Sequence, residues 1–156
     1  MGIVSGVDHV GLTVTDIERS IEFYTSVLEC SIVMRQEKEG GYLAAIVGYP
    51  GAHVLMTHLQ PPGGGPRIEL FQYLVPESEG RDLEPRNVGN AHICFVVEDL
   101  DALYKRLLAN GINTISPPVE VDTGVNTGGS SLYLYDPDGI TLELFQRPNR
   151  SSANVE

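Results

Sequence analysis

Four residues of metal-binding type recur in a fixed order along the chain: His9, Glu69, His92 and Glu143. Each histidine belongs to an alternating stretch, Val7–Val14 or Ala91–Val97. Each glutamate sits inside one of two near-identical pentapeptides, Ile68-Glu69-Leu70-Phe71-Gln72 and Leu142-Glu143-Leu144-Phe145-Gln146. In a strand, successive side chains point to opposite faces, so Glu69 shares a face with Phe71 while Ile68 and Leu70 take the other. A carboxylate in a half-buried sheet is costly unless it meets a partner or a metal. The same cost at the same place in two copies implies that the partner is built in. Two imidazoles and two carboxylates form a donor set for one divalent ion.

The spacing shows a duplicated unit. His9 and His92 are 83 residues apart, as are Val14 and Val97, and Asp16 and Asp99, while Glu69 and Glu143 are 74 apart. The first copy therefore carries additional residues, which its Pro- and Gly-rich loops accommodate. In the first copy, Val10, Leu12 and Val14 alternate against His9, Gly11 and Thr13, the pattern of a half-buried strand. Thr15 and Glu18 stand at capping-box spacing before a helix whose apolar stripe is Ile17, Ile21, Tyr24 and Leu28. Strands are expected near Ile32–Gln36, Tyr42–Val47, His53–Leu59 and around Glu69, with a turn-rich Pro61–Pro66 loop before the last. The second copy repeats the order. Ile93, Phe95 and Val97 alternate against His92, Cys94 and Val96. Asp99 caps a helix through Leu108 that Asn110-Gly111 closes. Strands near Ile112–Ile115, Leu132–Tyr135 and Ile140–Gln146 follow, with a tight Asp136–Gly139 turn before the last.

These elements predict an α+β fold. Two βαβββ modules, each too small to bury much alone, would form a curved, partly closed mixed sheet around a metal site, with the helices outside. The expected boundaries are a single domain over 1–156, with module one at 7–74, a linker at 75–89, module two at 90–146 and a tail at 147–156. The concave face would collect His9, Glu69, His92 and Glu143.

Composition narrows the function classes. With 156 residues and a formal net charge of −11, the chain would be repelled by nucleic acid and by anionic membrane surfaces. No apolar run approaches the ~18–20 residues of a membrane span. Cys30 and Cys94 show no CxxC spacing, and the N-terminus lacks the basic-then-apolar order of a secretion signal, so a cytoplasmic setting is expected.

Taken together, Val7-Asp8-His9-Val10-Gly11-Leu12, the run Asp16–Leu28, Arg67-Ile68-Glu69-Leu70, Asn90-Ala91-His92-Ile93 and Asp136-Pro137-Asp138-Gly139 through Glu143-Leu144 resemble the vicinal oxygen chelate superfamily. That group holds the glyoxalases, bleomycin-resistance proteins and extradiol dioxygenases. The resemblance spans residues 7–146. It implies His9, Glu69, His92 and Glu143 as ligands of one divalent metal, a small-molecule substrate with neighbouring oxygens, and a homodimer. Members use the ion as a Lewis acid toward two substrate oxygens. Carboxylates at both equivalent positions favour proton transfer beside a carbonyl, as in glyoxalase I-like or methylmalonyl-CoA epimerase-like enzymes, with Zn, Ni, Co or Mn. Glu143, or else Glu69, would be the base. The alternatives are an extradiol-type dioxygenase with Fe(II) and a small-molecule (antibiotic) binding protein. Thr13 stands where glyoxalase I-like sequences carry an arginine, and Tyr73 where they carry an asparagine. The expected Tyr42–Val47 strand lacks the additional glutamate of epimerase-like sequences. Phe71, Phe145, Tyr135, Thr13 and His53 are the expected substrate contacts.

Overall fold

The computed structural model describes residues 2–149; from residue 150 on, the expected tail lies outside the described residues. The first unit, Met1–Arg81, runs β1 (His9–Thr13), α1 (Ile17–Ser26), β2 (Ser31–Glu39), α2 (Gly41–Val47), β3 (His53–Gln60) and β4 (Arg67–Val75). The second, Asp82–Glu156, runs β5 (Ile93–Val97), α3 (Leu100–Ala109), β6 (Val119–Glu120), β7 (Ser130–Tyr135) and β8 (Thr141–Gln146). Each unit holds one four-stranded mixed sheet, ordered β1-β4-β3-β2 and β5-β8-β7-β6. The first and last strands of each unit pair in parallel, and the other pairings are antiparallel. The fold is α+β with a duplicated strand order, and its sheets are not closed into a barrel.

Burial fixes which face each strand offers. Ile68 and Leu70 of β4 are buried, as are Leu142 and Leu144 of β8. Each is worth about 1.5–3 kcal/mol against exposure. A one-residue slip would exchange those side chains for Glu69 and Glu143, so the glutamates are forced onto the opposite face. On α1, Ile17, Ser20, Ile21 and Tyr24 are buried at helical spacing. The helix begins where Asp16 accepts hydrogen bonds from the N–H groups of Glu18 and Arg19. In place of the expected capping box, one carboxylate satisfies two of the free N–H groups of the first turn.

The two copies share one further device. The Ile17 N–H donates to Gln72 Oε1 at 3.0 Å, and the Leu100 N–H donates to Gln146 Oε1 at 2.7 Å. Each glutamine ends its pentapeptide and ties the last strand to the first residue of its module's helix. The duplicated glutamine thus serves the scaffold, while the duplicated glutamate three residues earlier serves the other face.

Two sequence expectations are corrected. Tyr42–Val47 is helical and forms α2. Gly40 and Gly41 both have positive φ, which ends the extended chain. Moreover, β2 already pairs with β3 as far as Glu39 opposite His53, leaving no strand for those residues to join. Alanines at 44 and 45 favour the helix, and Gly48 closes it in the left-handed region. Second, Ile112–Ile115 is no strand: Thr114 makes an isolated bridge to Leu134. Pro117 and Pro118 cannot donate to a ladder, and pairing resumes at the two-residue β6. No described helix is long and apolar enough to cross a membrane.

Two measurements follow from the packing. Gln72→Ala leaves the Ile17 N–H without its acceptor and should cost about 1–3 kcal/mol in urea unfolding, as should Gln146→Ala for Leu100; no change in either would refute the tie. Burial raises the Cys30 thiol to about 11 from 9.0. The folded chain keeps that proton where the unfolded chain loses it, so this contribution to stability is full below pH 9.0 and disappears as pH rises toward about 11. Because the thiolate is the nucleophile, Cys30 should resist iodoacetamide in native protein at about pH 8 and react in concentrated urea. Rapid native labelling would contradict it.

Candidate functional site

Strand register determines what each glutamate meets. On β4, Glu69 lies beside Gly11 of β1 and opposite His58 of β3. A Cβ at position 11 would stand 3.9 Å from Glu69 Oε2, so the glycine leaves the carboxylate open on that side. Glu69 is only 9% exposed. Its Oε1 lies 2.6 Å from His58 Nε2, and its Oε2 lies 3.1 Å from His9 Nε2. The His9 and His58 rings are 5.6 Å apart, centroid to centroid. A carboxylate oxygen can only accept, so His9 Nδ1–H donates to Asp8 Oδ2 at 2.9 Å. Arg67 Nη2 holds both oxygens of Asp8 at 2.7 Å. Hydrogen bonds from His9 and then Arg67 keep Asp8 below the usual carboxylate range.

In the neutral ring, a proton on Nδ1 leaves Nε2 with its lone pair. His9 Nε2 and Glu69 Oε2 are then two electron-pair donors aimed at one place, an arrangement that a cation makes favourable. The two donor atoms, 3.1 Å apart, are close enough for one ion to be held by both. The carboxylate–histidine–ligand order, with Asp8 behind His9, is the usual support for a metal-ligating imidazole.

The second unit builds a related pair. Glu143 of β8 lies beside Cys94 of β5 and opposite Tyr133 of β7. His92, one residue before β5, places Nε2 3.2 Å from Glu143 Oε2. The Ser131 hydroxyl donates to Glu143 Oε1 at 2.7 Å, and Tyr133 Oη is 3.2 Å from His92 Nε2. Burial first, then Glu143 and Cys94, raises the Tyr133 phenol. Burial and Glu143 raise the Cys94 thiol to about 11, so it stays a neutral neighbour. Each unit therefore supplies one nitrogen and one carboxylate oxygen at matching separation, and the donor chemistry fits a divalent ion in both. Among the described residues, no group of three or more His, Cys, Asp or Glu is arranged as a complete metal site.

The expected substrate contacts divide. Thr13 and Phe71 lie on the Glu69 face, opposite one another in register. Phe71 stacks on Tyr73 at 6.0 Å, and Tyr49 meets Tyr73 edge-on at 6.0 Å. Phe145 lies on the Glu143 face opposite Ser131, where a Cβ on Gly129 would come within 2.9 Å of its ring. Tyr135 is on that face one strand pair further along, opposite Thr141, and Tyr133 is the tyrosine that reaches His92. His53 faces away. Its Nε2 lies 2.7 Å from Glu37 Oε1 on the neighbouring β2. The histidine at Glu69 is His58, which parity alone did not select. Centring the hairpin on the Pro61–Pro66 loop does select it, because that register sets His58 opposite Glu69.

A family model described as Glyoxalase/Bleomycin resistance protein/Dioxygenase superfamily matches residues 6–144. The chain is 31% identical over 150 residues to a 2-epi-5-epi-valiolone epimerase from Actinomyces sp, covering 91% of this chain and 79% of that one. It is also 31% identical over 143 residues to a lactoylglutathione lyase from Salmonella typhimurium, covering 88% and 90%. A solved glyoxalase family protein from Bacillus cereus shares the fold with a TM-score of 0.81 at 23% identity, over 94% of this chain and 97% of that one.

Proposed function

We infer the activity from a fixed premise: the chain belongs to the Glyoxalase/Bleomycin resistance protein/Dioxygenase superfamily. We propose that it is a metal-dependent member that takes a small substrate with two neighbouring oxygens, such as a 2-hydroxy ketone, and moves a proton on the carbon beside the carbonyl. The observation carrying this reading is the duplicated pair, His9 with Glu69 at 3.1 Å and His92 with Glu143 at 3.2 Å. His9, Glu69, His92 and Glu143 would together hold one divalent ion, with Zn, Ni, Co and Mn as candidates. When bound, the ion supplies Lewis-acid stabilisation to the substrate oxygens.

The two glutamates divide the remaining work. Glu69 Oε1 is held at 2.6 Å by His58, its cross-strand partner, which suits a fixed ligand. Glu143 is the more exposed, with its side chain 21% accessible against 11% for Glu69. A single hydroxyl, Ser131, holds its Oε1. Glu143 is therefore the base that takes the proton from the substrate carbon and returns it. The Tyr133 phenol keeps its proton and is placed to donate a hydrogen bond to a substrate oxygen. Phe71 and Phe145 offer apolar surface to the unreactive part of the substrate. Thr13 and Tyr73 stand where the glutathione-using relatives of the resemblance carry Arg and Asn. Of the two activities named among the relatives, this favours the epimerase type over the glutathione lyase. The reading also includes a homodimer.

The test is proton exchange. Protein loaded with Co(II) or Zn(II), given a panel of 2-hydroxy ketones in D2O, should incorporate deuterium beside the carbonyl at the same rate with and without O2. Glu143→Gln should slow exchange by about 10²–10⁴-fold. Oxygen uptake with a catechol by the Fe(II)-loaded protein would contradict the reading.

A further inference from the structure

His58 shares the most buried ionic contact of the described site residues, and the reaction outlined above leaves it unused. Its side chain is 13% exposed and that of Glu69 11%, with 2.6 Å between Nε2 and Oε1. The two residues are direct cross-strand partners on β3 and β4, so the contact is set by backbone register and not by a mobile loop. We propose that His58 is a positioning residue that fixes the Glu69 carboxylate and leaves Oε2 as its one coordinating oxygen. This rests on the reading that Glu69 is a metal ligand.

The reasoning is geometric. A free carboxylate can rotate about its last bond and can offer one oxygen or both to an ion. The ionised group only accepts, so His58 Nε2–H is the donor, and a bond with a charged acceptor is about twice as strong as a neutral one. Oε1 is thereby occupied, and two-oxygen chelation would require breaking that bond. The remaining oxygen, Oε2, is the one 3.1 Å from His9 Nε2. The His9 and His58 rings, 5.6 Å apart, thus flank one carboxylate, His58 holding one oxygen and His9 standing beside the other.

The second unit occupies the matching oxygen with a different donor. At the equivalent cross-strand position stands Tyr133, whose hydroxyl meets His92 Nε2 and not the carboxylate. Glu143 Oε1 receives the smaller Ser131 hydroxyl. Two glutamates at duplicated positions are therefore held differently. Glu69 Oε1 is held by an imidazole from the neighbouring strand, whereas Glu143 is held by the Ser131 hydroxyl and the Cys94 thiol.

The test uses the full chain, with Co(II) affinity measured by competition against a chromophoric chelator and the visible Co(II) spectrum as readouts. The Gln Nε2 reaches about as far as His Nε2, whereas the Asn amide stops short. His58→Gln should keep affinity and spectrum near wild type. His58→Asn and His58→Leu should lose about 10–100-fold in affinity and shift the Co(II) bands. If His58→Leu does not fold, the Gln and Asn pair still decides, since both remove the ring. Equal behaviour of Gln and Asn overturns the inference. A wild-type chain that binds no Co(II) overturns the metal reading and this inference with it. Wild-type binding that His9→Ala abolishes and His58→Asn leaves intact overturns the inference alone.

Discussion

A charge held inside a sheet sets the terms for the rest of this structure. Glu69 sits between Ile68 and Leu70, and the burial of those two fixes both the register and the face on which the carboxylate emerges. Desolvating that carboxylate without partners would cost several kcal/mol. The chain meets part of the cost with His58 from β3, which donates to Oε1; on the other side His9 Nε2 brings a second lone pair to Oε2 at 3.1 Å, a pairing that a cation makes favourable. Behind His9, Asp8 and Arg67 continue the alternation of charge, so the imidazole is oriented from both ends. An arrangement this specific around one carboxylate exceeds what stability requires, since an apolar residue at 69 would pack without any of it.

Duplication explains the scaffold but not the furnishing. Asp16 and Asp99 start the helices, and Gln72 and Gln146 tie them to the last strands. The same parity delivers His9 with Glu69 and His92 with Glu143. The copies then diverge at the cross-strand position, His58 in one and Tyr133 in the other. In the proposed reaction, that divergence is what gives the two glutamates different roles.

Much of this was legible in the residues. Alternation around His9 and His92 gave the faces of β1 and β5, and the paired pentapeptides gave β4 and β8 with their glutamates on one side. The failures have physical causes. Tyr42–Val47 has strand-like apolar content, but two glycines at positive φ and a fully paired β2 leave it to coil into α2. Ile112–Ile115 is apolar enough for a strand, yet the prolines at 117 and 118 limit its pairing to a bridge. His53 and His58 could not be separated by parity, because parity gives relative faces and not the register between strands. The hairpin loop length carries that information, and it points to His58. The Asp8–Arg67 pair was invisible to pattern reading, since both residues look like solvated charge until the β1–β4 register brings them together.

The most direct measurement is the metal stoichiometry of the wild type and of single variants from each unit, by equilibrium dialysis against Co(II). If His9, Glu69, His92 and Glu143 serve one ion, wild type binds one Co(II) per chain, and His9→Ala and His92→Ala each abolish that site. Two ions per chain, with each variant losing only one, would mean that the His–Glu pairs act separately and would contradict the four-ligand site.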